Sequence, residues 1–138
     1  MKRGLQIVLG ILSLIPAVNS VRGLLFGTGR FLSPELMMSM PAFDSLYRYQ
    51  TGYYVSLALF AWWIIPNVEK HTVPLRIVIF AVFLGGVGRL ISLFVVGVPP
   101  ANAVGFMILE LSLPLLLIWQ AKLPKPPSQA SPSQTASA

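Results

Sequence analysis

Long apolar runs alternate with short polar links along this chain. A helix that crosses a bilayer needs about 20 predominantly apolar residues. Four runs reach that length: Leu5 to about Phe26, about Tyr47 to Ile65, Leu75 to about Val98, and about Ala103 to Trp119. The links "PNVEKHTVP" and "GVPPAN" are short, which forces antiparallel neighbours, so spans two, three and four pack in chain order. The longer link "GTGRFLSPELMMSMPAFDS", Gly27 to Ser45, is amphipathic and predicts a short helix lying on the surface. The pattern therefore predicts an all-α chain, an integral membrane four-helix bundle over residues 1–122. From residue 123 the sequence "LPKPPSQASPSQTASA" has no hydrophobic period and reads as a disordered tail.

Composition supports the membrane class. Of the 138 residues, 55% are hydrophobic and only 10% are charged, against about 25% charged in an ordinary soluble domain. The net charge of +6 does not point to nucleic acid, because the basic residues sit at the ends of apolar runs rather than interleaved with exposed aromatics. There they act as topology markers. One side of the bundle holds Lys2, Arg3, Lys70, Arg76, Lys122 and Lys125; the loops of the other side hold Arg30, beside Glu35 and Asp44. Positive residues stay inside, so both termini are expected in the cytoplasm and the chain in the inner (plasma) membrane, as a multi-pass protein. The aromatic belts agree. Trp62, Trp63 and Trp119 fall at the cytoplasmic ends, and Tyr47, Tyr49, Tyr53 and Tyr54 near the outer end of span two. The start "MKRGLQIVLGILSLIPAVNS" also has the form of a secretory signal, but "VRGLLFG" continues the apolar run, which favours an uncleaved first span.

Charges within spans carry the candidate chemistry, since an intramembrane ionisable group is expensive and usually faces the bundle interior. Arg89 stands inside "AVFLGGVGRLISLFVVGVPP". At 1.5 Å of rise per residue it lies roughly 12 Å below the outer boundary, and Glu110 of span four roughly 14 Å below it. Helical side chains tilt toward the helix N-terminus, so the two lean toward each other and should form an ion pair. Gly85 and Gly86 are read as leaving room for the arginine stem, and Ala81, Gly85, Gly88 and Ser92 as a small-residue packing face. Arg22 and Asn19 of span one and Arg48 of span two approach the same layer, with Asp44 four residues before Arg48. Arg22 and Arg48 are also close enough to the interface to snorkel to lipid phosphates. Pro114 frees the carbonyl of Glu110 and predicts a break in span four; Pro16 does the same to Leu12.

No metal constellation, P-loop or nucleophile elbow occurs, and "GGVGRL" lacks the lysine that ends a phosphate loop. The single histidine, His71, falls in a polar link, and the chain has no cysteine. No cofactor is implied.

Four segments, "GLQIVLGILSLIPAVNSVRGLLFG", "YRYQTGYYVSLALFAWWIIPNVEKH", "LRIVIFAVFLGGVGRLISLFVVGVPP" and "ILELSLPLLLIW", resemble small bacterial four-span proteins grouped as domain-of-unknown-function family 4345. The resemblance runs from about Gly4 to Trp119 and implies a compact four-helix membrane bundle; it implies no activity. The residues themselves lead to a bundle without catalysis of its own, embedded in the lipid bilayer. Its candidate ligand site, for a small amphipathic or anionic molecule or a lipid, comprises Arg89, Glu110, Arg48, Arg22, Asn19 and Ser92. Two alternatives stand beside it: a structural subunit with a membrane-protein partner, and an enzyme acting on a lipid-like substrate with Glu110 as proton shuttle.

Overall fold

The computed structural model describes residues 1–123. Lys125 and all of the expected disordered tail except Leu123 lie outside the described residues. The described chain is helical, without a strand: α1 (Lys2–Phe26), α2 (Pro34–Ser39), α3 (Pro41–Ile64), α4 (Thr72–Val95), α5 (Ala101–Ser112) and α6 (Leu115–Ala121), with 3-10 turns at Gly27–Arg30 and Ile65–Asn67.

Three stretches are long and apolar enough to cross a membrane: Lys2–Arg30, Thr72–Val95 and Ala101–Ala121. The last contains the predicted break. α5 stops at Ser112, Leu113 N–H turns back to the Glu110 carbonyl at 3.4 Å, and α6 restarts after Pro114. The fourth expected span differs. α3 is as long as α4, but it begins at Pro41 and falls short of the same apolarity. The reason is its first half, "PAFDSLYRYQTGYY", which carries Asp44, Arg48, Gln50, Thr51 and four tyrosines.

α2 occupies the expected amphipathic link. Ser33 caps it by accepting from Leu36 N–H, Pro34 opens it, and Glu35 lies in its first turn, where a negative charge favours the helix dipole.

α1 lies along α3, α3 meets α4, α4 lies along α5, and α6 returns to α1. The two ends of this arrangement differ. At the end holding the N-terminus, Leu5, Leu9, Ile64, Val68, Leu75, Val78, Ile79 and Leu123 form a closed core. Polar side chains latch it from outside. Lys2 Nζ pairs with Glu69 Oε1 at 2.7 Å, Gln6 Nε2 donates to the Ile65 and Pro66 carbonyls, and Gln120 Nε2 donates to the Val68 carbonyl at 2.8 Å. Those carbonyls end α3 and its 3-10 extension, so the amides satisfy groups that a helix end leaves without partners. Large apolar side chains on the outer faces, among them Ile7, Ile11, Leu25, Ile77, Phe94 and Leu115, are exposed.

Candidate functional site

At the opposite end the helices enclose a cavity of about 640 Å³. Each wall is one helical face. α1 contributes Pro16, Asn19 and Ser20; α3 contributes Tyr47, Gln50, Thr51 and Tyr54; α4 contributes Gly85, Gly88, Arg89 and Ser92; α5 contributes Phe106 and Glu110; and Arg30 reaches in from the turn after α1. The α3 and α4 sets both follow the spacing i, i+3, i+4, i+7, the signature of one side of a helix. So four of the residues that lower the apolarity of α3, Tyr47, Gln50, Thr51 and Tyr54, face a shared space.

Arg89 and Glu110 form the expected pair, with Arg89 Nε 3.0 Å from Glu110 Oε2. The side chains are 42% and 12% exposed, so the carboxylate sits in the wall while the arginine borders open space. The contact is Coulombic without hydrogen-bond alignment, which leaves Oε2 a buried acceptor with no donor directed at it. The glycines before Arg89 serve other neighbours than its stem. A Cβ on Gly86 would stand 2.9 Å from Glu110 Cβ and 3.2 Å from the Leu111 nitrogen, so Gly86 sets the close approach of α4 and α5. A Cβ on Gly85 would meet the Tyr54 hydroxyl at 3.1 Å, and one on Gly88 would meet nothing within 4 Å. The small-residue face of α4 therefore borders the cavity at Gly85, Gly88 and Ser92 rather than packing tightly on a neighbour.

Asn19 and Ser92 line the cavity as well; Arg48 and Arg22 do not. Arg48 is engaged elsewhere. Its Nε donates to Asp44 Oδ2 at 2.6 Å, and its Nη1 donates to the Leu24 and Leu25 carbonyls at 2.8 and 3.1 Å. Asp44 Oδ1 accepts from the Thr28 backbone N–H at 2.7 Å and from the Thr28 hydroxyl at 2.8 Å. Together they cap the C-terminus of α1, where the chain turns through Gly27 at φ 57°. A side chain at Gly27 would collide with both Asp44 and Arg48. The Arg48 guanidinium, and behind it the Thr28 N–H and hydroxyl, hold the Asp44 carboxyl down at about 2. At the closed end the Lys2 hydrogen bond likewise lowers Glu69 below the usual carboxylate range. Arg22 is exposed.

The polar residues that the sequence reading did not place here are Arg30, Ser20, Tyr47, Gln50, Thr51 and Tyr54. Arg30 Nη1 donates to the Asn19 carbonyl at 3.1 Å. The available signal was the polar periodicity of "YRYQTGYY", which puts Tyr47, Gln50, Thr51 and Tyr54 on one face and Arg48 on another.

A second, smaller space of about 120 Å³ lies between the cavity and the closed core. It shares Pro16, Tyr54, Phe106 and Glu110 with the larger one, and is otherwise lined mainly by Leu9, Leu12, Leu57, Val78, Ile79, Val82, Leu109 and Leu113. Among the described residues no cluster of metal-ligating side chains occurs. His71 packs against Trp63, with ring centroids 4.3 Å apart.

Residues 4–121 match the model of a protein family described as a domain of unknown function (DUF4345). No curated protein and no solved structure matches the chain.

Proposed function

For a chain that belongs to the DUF4345 family, whose description assigns no activity, we propose a four-span protein of the plasma membrane. Both termini are cytoplasmic, and the far-end cavity binds a small amphipathic or anionic ligand. The observation that carries this reading is the open space beside the Arg89–Glu110 pair. A pair serving only as a latch would be packed shut, because excluding water strengthens its Coulomb attraction. Here Arg89, 42% exposed, faces a space lined by hydroxyls and amides, while Glu110 Oε2 is shut into the wall. α3 crosses as the fourth span with its polar face turned to this cavity, which relieves the cost that the face would meet in lipid. The Arg89–Glu110 pair is then intramembrane.

The pair and the ligand are separable by a double-mutant cycle. Arg89→Gln leaves the Glu110 charge in the wall and should lower stability by about 2 kcal/mol, less than for a fully buried pair. Arg89→Met with Glu110→Leu should recover most of that loss while ligand retention, followed by native mass spectrometry from detergent, disappears. A double variant that keeps the same bound small molecules as the wild type would refute the binding role. Failure of the wild type to retain any small molecule would do so too.

A further inference from the structure

The two spaces adjoin and differ in chemistry. The charged residues lining the larger cavity are Arg30, Arg89 and Glu110, which leaves one positive charge uncompensated by the walls. Arg30 is held over the cavity by its bond to the Asn19 carbonyl, and Arg89 is aimed from α4. The smaller space, by contrast, is lined almost wholly by aliphatic side chains and measures about 120 Å³. A dry apolar cavity of roughly 150 Å³ takes up benzene, a molecule of about six carbons. Pro16, Tyr54, Phe106 and Glu110 border both spaces and so form the wall they share.

We infer that the occupant is a single-tailed amphiphile with one anionic head group. Its compact carboxylate or phosphate head sits between Arg30 and Arg89, and its apolar end passes Tyr54 and Phe106 into the aliphatic space. This rests on the larger cavity being a ligand site, and adds head charge, orientation and tail size. The aliphatic space accepts an end of about six carbons. Longer chains gain nothing further from it. Arg30 selects for the charge, because its guanidinium can take a carboxylate or phosphate oxygen through donors that the Asn19 bond does not use.

The test uses the full-length protein in detergent and the n-alkyl phosphates and carboxylates from butyl to dodecyl, with inorganic phosphate as the bare head and the n-alkyl alcohols as uncharged controls. Val82→Phe fills the aliphatic space from α4 and Leu12→Phe fills it from α1, so comparison with the wild type cancels partition of the probes into micelles. Affinity by isothermal titration should rise about fourfold per methylene in the wild type relative to either filled variant, and level off at about six carbons. Arg30→Gln, an exposed position, should weaken every charged probe by about tenfold and leave the alcohols unchanged. Equal chain-length profiles in the wild type and in whichever filled variants remain folded would overturn the tail assignment, as would alcohols binding as tightly as phosphates for the head. If inorganic phosphate and the short probes bind with no dependence on chain length, the cavity remains an anion site and only this inference fails. If no probe binds the wild type, the ligand site itself is refuted.

Discussion

Asp44 shows how a single carboxylate can fix the end of a span. It accepts from Thr28 twice and from Arg48 once, and Arg48 then reaches the last carbonyls of α1. An unfolded aspartate titrates near 3.9, whereas this carboxyl is held at about 2, first by Arg48 and then by Thr28. A depressed folded value means that the stabilisation is complete above the unfolded value and is lost as pH falls toward the folded one. The far end should therefore loosen between about pH 4 and pH 2. Acid unfolding in detergent, followed by circular dichroism, should show a wild-type slope in that window that Asp44→Asn flattens. Glu69, lowered by Lys2, adds a separate contribution at the closed end, which Glu69→Gln removes. An Asp44→Asn curve parallel to the wild type would mean that the cap contributes nothing. At this scale two pairings were legible in the sequence, because each rests on one-dimensional spacing. Asp44 and Arg48 are four residues apart on a helix, and Arg89 and Glu110 match in depth. That Arg48 turns to the α1 carbonyls, and Arg30 to the cavity, depends on how the chain turns at Gly27, which no spacing along the sequence encodes.

Between helices, the glycines divide by what faces them. Gly86 meets the backbone of Leu111 and the Glu110 Cβ, while Gly88 meets open space. In an exposed helix either change to alanine would gain about 1 kcal/mol in helix propensity. At Gly86 that gain is opposed by overpacking, which costs about 1–3 kcal/mol, and the displaced residue is the partner of Arg89. Gly88→Ala should thus melt at or above the wild-type temperature, and Gly86→Ala clearly below it. The same order in both variants would show that α4 and α5 can separate at no cost. The apolar runs of α1, α4 and the α5–α6 rod were legible because length and hydropathy alone define a crossing helix. The break at Pro114 was legible because proline lacks the required N–H. α3 was legible as a helix, and about Tyr47 to Ile65 reads as a span, but α3 falls short of the apolarity of the other three stretches: Tyr47, Gln50, Thr51 and Tyr54 answer to the cavity, and a polar stripe makes sense only once a neighbour's Arg89 stands opposite. The glycines of α4 were legible as small, yet their partners depend on helix rotation.

The whole molecule is closed at one end and open at the other. The closed end holds the packed core, both ends of the described chain, the Lys2–Glu69 pair and the bonds from Gln6 and Gln120. Lys70, Arg76 and Lys122 gather there with Lys2 and Arg3, and the proposed topology rests on the positive-inside rule in placing that end in the cytoplasm. In that proposed topology the cavity lies in the outer half, where an amphiphile would reach it from the outer leaflet or from outside the cell. Because the chain has no cysteine, every introduced thiol is unique, and orientation can be read one position at a time. Ser39 and Lys70 are exposed at opposite ends. In intact cells a membrane-impermeant maleimide should label Ser39→Cys and spare Lys70→Cys, and permeabilised cells should label both. Labelling of Lys70→Cys alone in intact cells would invert the molecule and turn the cavity toward the cytoplasmic leaflet. Labelling of both in intact cells would put Ser39 and Lys70 on the same side, and α3 between them (Pro41–Ile64) would not cross.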